Sequence, residues 1–164
     1  MPCPNVAGRF VNPPQGVILH GSRSGRPQSA EAEYQGTAAY ATQRSHGLGW
    51  HATIGPLLVA THIDPQWYGY HARSASTKLL GVEFAQPTVN DPINDGMVEA
   101  FVWWFINHAR KAWPSLPTYF PTHAEVDRSF GFNDFKSDVY PHGDDRASEL
   151  RARILARLTV LWVK

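Results

Sequence analysis

Hydrophobic and polar positions along the chain fall into short apolar runs and two helical stripes. "GVILHG" (16–21) is a β-branched apolar run closed by His20, the pattern of a buried strand. "WHATIG" (50–55) and "LLVATHID" (57–64) flank Gly55-Pro56 and predict a hairpin. "KLLGVEFAQP" (78–87) predicts a further strand, stopped by Pro87. Between the first and second runs, residues 29–47 open on Ser29 with Glu31 and Glu33, are alanine-rich and close on Gly47, which predicts a helix. The period then changes over 90–113. Val98, Phe101, Val102, Phe105, Ile106 and Ala109 recur at helical spacing and predict the clearest helix, with Trp103 and Trp104 largely on its core side. Residues 145–164 carry a second stripe, Leu150, Ile154, Leu158 and Leu161, with arginines on the opposite face. Residues 1–16, with four prolines, read as an irregular lead-in, 68–76 as a loop, and "PSLPTYFPTHAEV" as an extended segment. The resulting order, β-α-β-β-β-α-β-α, predicts one α/β domain over 1–164, with a central sheet flanked by helices.

Composition narrows the function classes. With 164 residues, 43% hydrophobic and 18% charged, the chain is an ordinary globular sequence long enough for a real core. A net charge of +1, without a lysine or arginine stripe, argues against nucleic acid as a partner. No apolar run approaches the roughly 18–20 residues of a membrane span, so no membrane insertion is expected. The N-terminal segment lacks the charged and apolar regions of a secretory signal, which predicts a protein made in the cytoplasm. The single cysteine, Cys3, excludes a disulfide within the chain and a cysteine-built zinc cluster.

Eight histidines are the compositional anomaly, and they raise the prior for a metal or acid–base site. His20 closes a buried strand, His123 follows Pro121-Thr122, and Asp138 sits in "KSD" two residues after Lys136. Two imidazoles and a carboxylate would supply the three protein ligands of a catalytic zinc and leave one position open for water. The three lie far apart in sequence, and no HExxH-type spacing announces them.

The fragments "VILHGSRSG", "GWHATIG", "GYHARSAS", "LLGVEFAQP", "PTHAEV" and "FKSDVYP" occur in an order that resembles the amidase type 2 family. These are zinc-dependent N-acetylmuramoyl-L-alanine amidases related to peptidoglycan recognition proteins, and the flavour is most like a bacteriophage endolysin amidase. The likeness runs from about residue 17 to residue 141. It implies a mixed sheet with helices on its faces and one zinc held by His20, His123 and Asp138. It implies hydrolysis of the amide between the lactyl group of N-acetylmuramic acid and L-alanine, in bacterial peptidoglycan. Family members place the general base either as a tyrosine before the histidine of the "WHATIG"-like strand or as a glutamate on the "GVEF"-like strand. Here the first position is Trp50, which has no acid–base chemistry, so the expected base is Glu83. Lys136 corresponds to a lysine able to stabilise the oxyanion. His71 matches a position facing the substrate cleft, and Trp50, Tyr70, Trp67 and Tyr68 are candidates for substrate contact. The gap between His123 and Asp138 is longer than in compact members, so Asp127, Asp134 and His142 compete as third ligand. Asp138 is preferred because Lys136 precedes it at the family spacing.

Two other readings compete with the amidase. One is a recognition domain that binds peptidoglycan without cutting it; the other is a cytoplasmic amidase that recycles soluble muropeptides. A phage lysin would act on the wall as a monomer, and its release would depend on a holin.

Overall fold

A computed structural model describes residues 2–162. Met1 of the lead-in and the last two residues of the predicted terminal helix lie outside the described residues. Six strands follow in chain order: β1 (Gly8–Arg9), β2 (Val17–Gly21), β3 (Ala52–Gly55), β4 (Leu58–Thr61), β5 (Trp67–Tyr68) and β6 (Leu80–Phe84). The central sheet has the order β2-β6-β3-β4. β2, β6 and β3 run parallel, and β4 returns antiparallel to β3 through the expected turn at Pro56-Leu57, so the sheet is mixed. The lead-in is not wholly irregular, because β1 pairs with β5 in a separate two-stranded ribbon.

The alternation of side chains along each strand divides the sheet into two faces. Val17 and Leu19 of β2, Leu80, Val82 and Phe84 of β6, and Ala52 and Ile54 of β3 join the main hydrophobic core. That core is completed by Phe101, Trp104 and Phe105 and by Leu150, Ile154 and Leu158 of the terminal helix. The intervening positions, His20, Gly81, Glu83 and Thr53, therefore share the opposite face.

Five helices follow: α1 (Ala30–Tyr40), α2 (Asp95–Trp104), α3 (Arg110–Ala112), α4 (His123–Ser129) and α5 (Asp145–Trp162). A π-helical stretch, Phe105–Ala109, joins α2 to α3, and a 3₁₀ turn covers Arg73–Thr77. Ser29 caps α1 as its sequence predicts, but the helix ends at Tyr40 rather than Gly47. Beyond it the His46 ring stacks on Tyr40, at a centroid distance of 4.0 Å. The long helix starts at Asp95, where the Asn94 side chain accepts a hydrogen bond from Met97 N. Trp104 is fully buried on it but Trp103 is 51% exposed. Trp103 lies two residues beyond Phe101, about 200° around the helix, which turns it away from the core.

The segment before α4 is extended only as far as Thr122. Backbone N–H groups of Val17 and Leu19 donate to the carbonyls of Tyr119 and Pro121, and Leu19 bridges to Thr122. The segment thereby satisfies the outer edge of β2, and His123 then opens a helix instead of continuing it. Among the described residues, no helix is long and apolar enough to cross a membrane.

Candidate metal centre and cleft

His20 stands near the end of β2, on the face opposite Val17 and Leu19. His123 is the first residue of α4, whose start is held by a capping box: Thr122 Oγ1 accepts from Glu125 N, and Glu125 accepts from Thr122 N. Arg151 of α5 grips the same Glu125 carboxylate at 2.9 and 3.0 Å. Asp138 comes from the loop after α4, and its carbonyl accepts from Ala124 N at 3.2 Å.

The three side chains converge. His20 Nδ1 lies 3.0 Å from His123 Nδ1, and Asp138 Oδ2 lies 3.2 Å from each. A tetrahedral zinc with ligand bonds of roughly 2.0–2.1 Å would hold its donors about 3.3 Å apart. Donor type and spacing therefore both fit the ion. Among the described residues this is the one group of His, Cys, Asp and Glu side chains with such a geometry. Asp134 does not join it: that carboxylate pairs with Arg73. His142 lies instead against Arg128.

The far ring nitrogens of both histidines face protein atoms. His20 Nε2 meets His71 Nδ1 at 3.0 Å, and His123 Nε2 faces Asp127 Oδ1 at 3.5 Å. Asp127 also accepts from Lys136 N through Oδ2, tying α4 to the "KSD" loop. Such outer contacts orient the rings of metal-ligating histidines. Burial, reinforced by the His123 charge, lowers His20 to about 4. Burial also drives His71 well below its ordinary value, with the His20 charge adding to it. Burial works against the Asp138 carboxylate, but hydrogen bonds from His123 and His20 hold it well below the usual range. A neutral His20 imidazole beside an ionised Asp138 carboxylate suits a divalent cation.

His71, expected to face the substrate cleft, is half-buried beside His20. Its Nδ1 is turned to His20 and its Nε2 to the carbonyl of Leu79 at 3.3 Å, so both ring nitrogens are occupied by the protein. The ring fits only because residue 81 is glycine; a β-carbon there would stand 2.4 Å from His71 Nδ1.

Glu83 is the parallel-strand partner of His20. Its side chain lines a cleft of about 490 Å³ together with Ser22, Ser24, Glu33, Tyr40 and Trp50. Oε2 is buried and has no hydrogen-bond partner. Burial and the neighbouring Asp138 charge push its carboxyl well above the ordinary value. Trp50 reaches the cleft with only 3% of its surface exposed, and its indole N–H donates to Thr53 Oγ1 at 3.0 Å. Tyr70 is half exposed, edge-on to Tyr68, and does not line this cleft. Lys136 lies exposed beside Asp138.

Two residues of this region carry no role in the sequence reading. Glu33, read as helix-start charge, is 1% exposed, and its carboxylate accepts hydrogen bonds from Ser22, Ser24 and Gln28. Those bonds outweigh the burial penalty and lower its pKa. Arg23 reaches from the turn after β2 to the loop that carries Asp138. The available signal was the polar run "SRSG" directly behind a ligand-bearing strand.

Solved structures decide the fold. The catalytic domain of XlyA superposes with a TM-score of 0.60 at 15% identity, covering 92% of each chain. The fold is that of the endolysin amidases and peptidoglycan recognition proteins. A mutant endolysin from Bacillus subtilis gives 0.59 at 17% identity over 92% of this chain and 90% of that one. Human PGRP-IBETAC, solved in complex with glycosamyl muramyl pentapeptide, gives 0.56 at 17% identity over 72% of this chain and 76% of its own. No protein-family model and no curated protein sequence matches the chain. At these identities the likeness establishes architecture, and the chemistry must be argued from the residues.

Proposed function

We propose that the chain is a zinc-dependent N-acetylmuramoyl-L-alanine amidase acting on bacterial peptidoglycan, in the role of a phage endolysin. The observation that carries the reading is the convergence of His20, His123 and Asp138 beside a buried, unpartnered Glu83 oxygen. Bound zinc would lower the pKa of a water from 15.7 towards roughly 7 and polarise the scissile carbonyl. Glu83, on the strand beside His20 and open to the cleft, takes the proton from the attacking water and returns it to the leaving amine. Burial raises its pKa above the ordinary carboxylate value, which strengthens it as a proton acceptor. The Lys136 ammonium, two residues from Asp138, stabilises the negative charge that develops on the carbonyl oxygen. His71 holds the imidazole of His20, Asp127 faces that of His123, and Trp50 forms an apolar wall of the cleft.

Human PGRP-IBETAC, solved with a glycosamyl muramyl pentapeptide bound, supports a binding-only alternative. The combination of three donors and a free carboxylate supports the enzyme, since binding alone needs no unpartnered base. The test is metal analysis of the purified protein with hydrolysis of isolated sacculi, before and after chelation. The expected result is about one zinc per chain and release of stem peptides with new L-alanine N-termini, lost on chelation and restored by zinc. Absence of bound zinc together with indifference to chelator would overturn the proposal. Clearing of sacculi, as opposed to cleavage of soluble anhydro-muropeptides alone, separates a wall lysin from a recycling enzyme.

A further inference from the structure

The turn after β2 reaches back over the metal centre through one side chain. Arg23 lies three residues beyond His20 and adopts φ 51°, a left-handed conformation that a β-carbon resists. Gln86 holds it there. Arg23 N donates to the Gln86 carbonyl at 2.9 Å, and Nε donates to Gln86 Oε1 at 3.0 Å. A terminal guanidinium nitrogen then donates to the carbonyls of Ser137 at 3.0 Å and Val139 at 2.6 Å. These are the two carbonyls flanking Asp138. The carbonyl of Asp138 itself is taken by Ala124 N of α4. Three successive carbonyls are thus anchored, two from the β2 side and one from the helix that carries His123.

The anchor is itself fixed. Ser22 and Ser24, on either side of Arg23, both bond the buried carboxylate of Glu33, Ser24 through its Oγ at 2.6 Å and its N–H at 3.2 Å. Asp138 otherwise sits in a loop without regular secondary structure between α4 and α5. A metal ligand must be held within about 0.5 Å of its productive place, and a loop of this kind supplies no such rigidity alone.

We propose that Arg23 is a positioning residue for the metal centre: its guanidinium grips the carbonyls on both sides of Asp138 and sets that carboxylate where His20 and His123 meet. This rests on the reading of those three residues as metal ligands. A guanidinium has donors in a rigid planar fork, whereas a lysine ammonium is a single point on a flexible stem. Lysine at position 23 therefore cannot hold Gln86 and both loop carbonyls together. The Arg73–Asp134 pair serves as a control, because it tethers the same loop further upstream without touching Asp138.

The test uses metal-free whole chain titrated with Zn²⁺ against a competing fluorescent chelator, and with Co²⁺ followed by its visible ligand-field bands. Arg23→Ala is expected to weaken Zn²⁺ binding about 10–100-fold, the usual effect of removing an outer-shell support, and to shift the Co²⁺ bands. Arg23→Lys keeps the charge and recovers little of the affinity. Should Arg23→Ala fail to fold, Arg23→Lys carries the comparison. Arg73→Ala is expected to bind Zn²⁺ within about 2-fold of wild type, since exposed ion pairs contribute little. An Arg23 variant with wild-type affinity and unchanged Co²⁺ bands overturns the clamp and leaves the metal centre standing. Equal losses in the Arg23 and Arg73 variants also overturn it, because general loop stiffening would then suffice. Wild-type protein that binds no Zn²⁺ overturns both the clamp and the metal reading.

Discussion

On one face of the central sheet, Val17, Leu19, Val82 and Phe84 pack against the aromatic side chains of α2 and the leucines of α5. On the other, one residue along the same strands, stand His20 and Glu83, with His123, His71 and Asp138 gathered over them. The first face is dry, close-packed and satisfied by contact alone. The second buries titratable groups whose free energy is unfavourable until each finds a partner, and Glu83 Oε2 finds none. The difference separates two tasks within one five-residue strand. Stability comes from the apolar face, where burial releases water from hydrocarbon. The polar face gives up some of that stability to hold groups in the protonation states and positions that chemistry demands.

Substitutions on the two faces should therefore fail in different ways. The largest expected effect is from Glu83→Gln, which should lower kcat for wall hydrolysis by about 10²–10⁴, the usual contribution of general acid–base catalysis. Zinc content should stay unchanged, and near-normal turnover with zinc bound would remove Glu83 from the mechanism. On the apolar face, Phe101→Ala should cost about 3–5 kcal/mol of stability in a urea titration, while the folded fraction keeps its zinc affinity. Loss of zinc from folded Phe101→Ala protein would show that the two faces are not separable. Lys136→Ala, exposed on the chemical side, should reduce kcat by about 10²–10³ with an unchanged melting temperature. Retained activity would return it to the solvated lysines. Zinc removal should be smaller in stability terms: at a free concentration of 100 times Kd the ion contributes about 2.7 kcal/mol. Scanning calorimetry with and without chelator reads that shift.

How much of this was legible in the sequence also divides by face. The apolar face announces itself by period, and β2, the β3–β4 hairpin, β6 and the two long helices stand where the patterns place them, with ends moved by a few residues. The exceptions have local causes. Trp103 is apolar yet points outward, because hydrophobicity says nothing about which side of a helix a neighbour of Trp104 occupies. β1 is too short to carry a period, and its pairing with β5 is fixed only by the fold. The α4 helix starts at a Thr122–Glu125 capping box that is readable in sequence, but Pro114, Pro117 and Pro121 before it make the whole segment read as extended. The polar face has no period at all. His20, His123 and Asp138 are more than 100 residues apart at their extremes, and their meeting depends on a parallel register and a capped helix that no spacing encodes. Arg23 and Glu33 were harder still, because the sequence does not show that a polar residue is buried or which carbonyl it grips.

The faces can be told apart last by acid and base. In metal-free protein the Glu83 carboxyl titrates well above its ordinary value of 4.5, chiefly because it is buried. Between the unfolded and folded values the native state holds a proton that the unfolded chain has lost. Stability from this group is therefore complete below about pH 4.5 and falls as pH rises through the folded pKa. His51, buried on the same side and lowered to about 4 mainly by desolvation, acts in the opposite sense. The unfolded chain binds a proton there that the native state refuses, so its contribution is complete above about pH 6.5 and is lost as pH falls towards 4. The two slopes oppose each other at mildly acidic pH, and Glu83→Gln removes only the first. The stability of Glu83→Gln relative to wild type should then grow with pH by up to about 1.4 kcal/mol per unit, one proton's worth, and level off once the folded Glu83 has ionised. Urea denaturation of both metal-free proteins at pH 5, 6 and 7 reads this difference. A gap that instead stays constant or narrows with rising pH would mean that Glu83 is already ionised at pH 5, held by the Lys136 charge against its burial, and the polar face would carry less strain than its unpartnered oxygen implies.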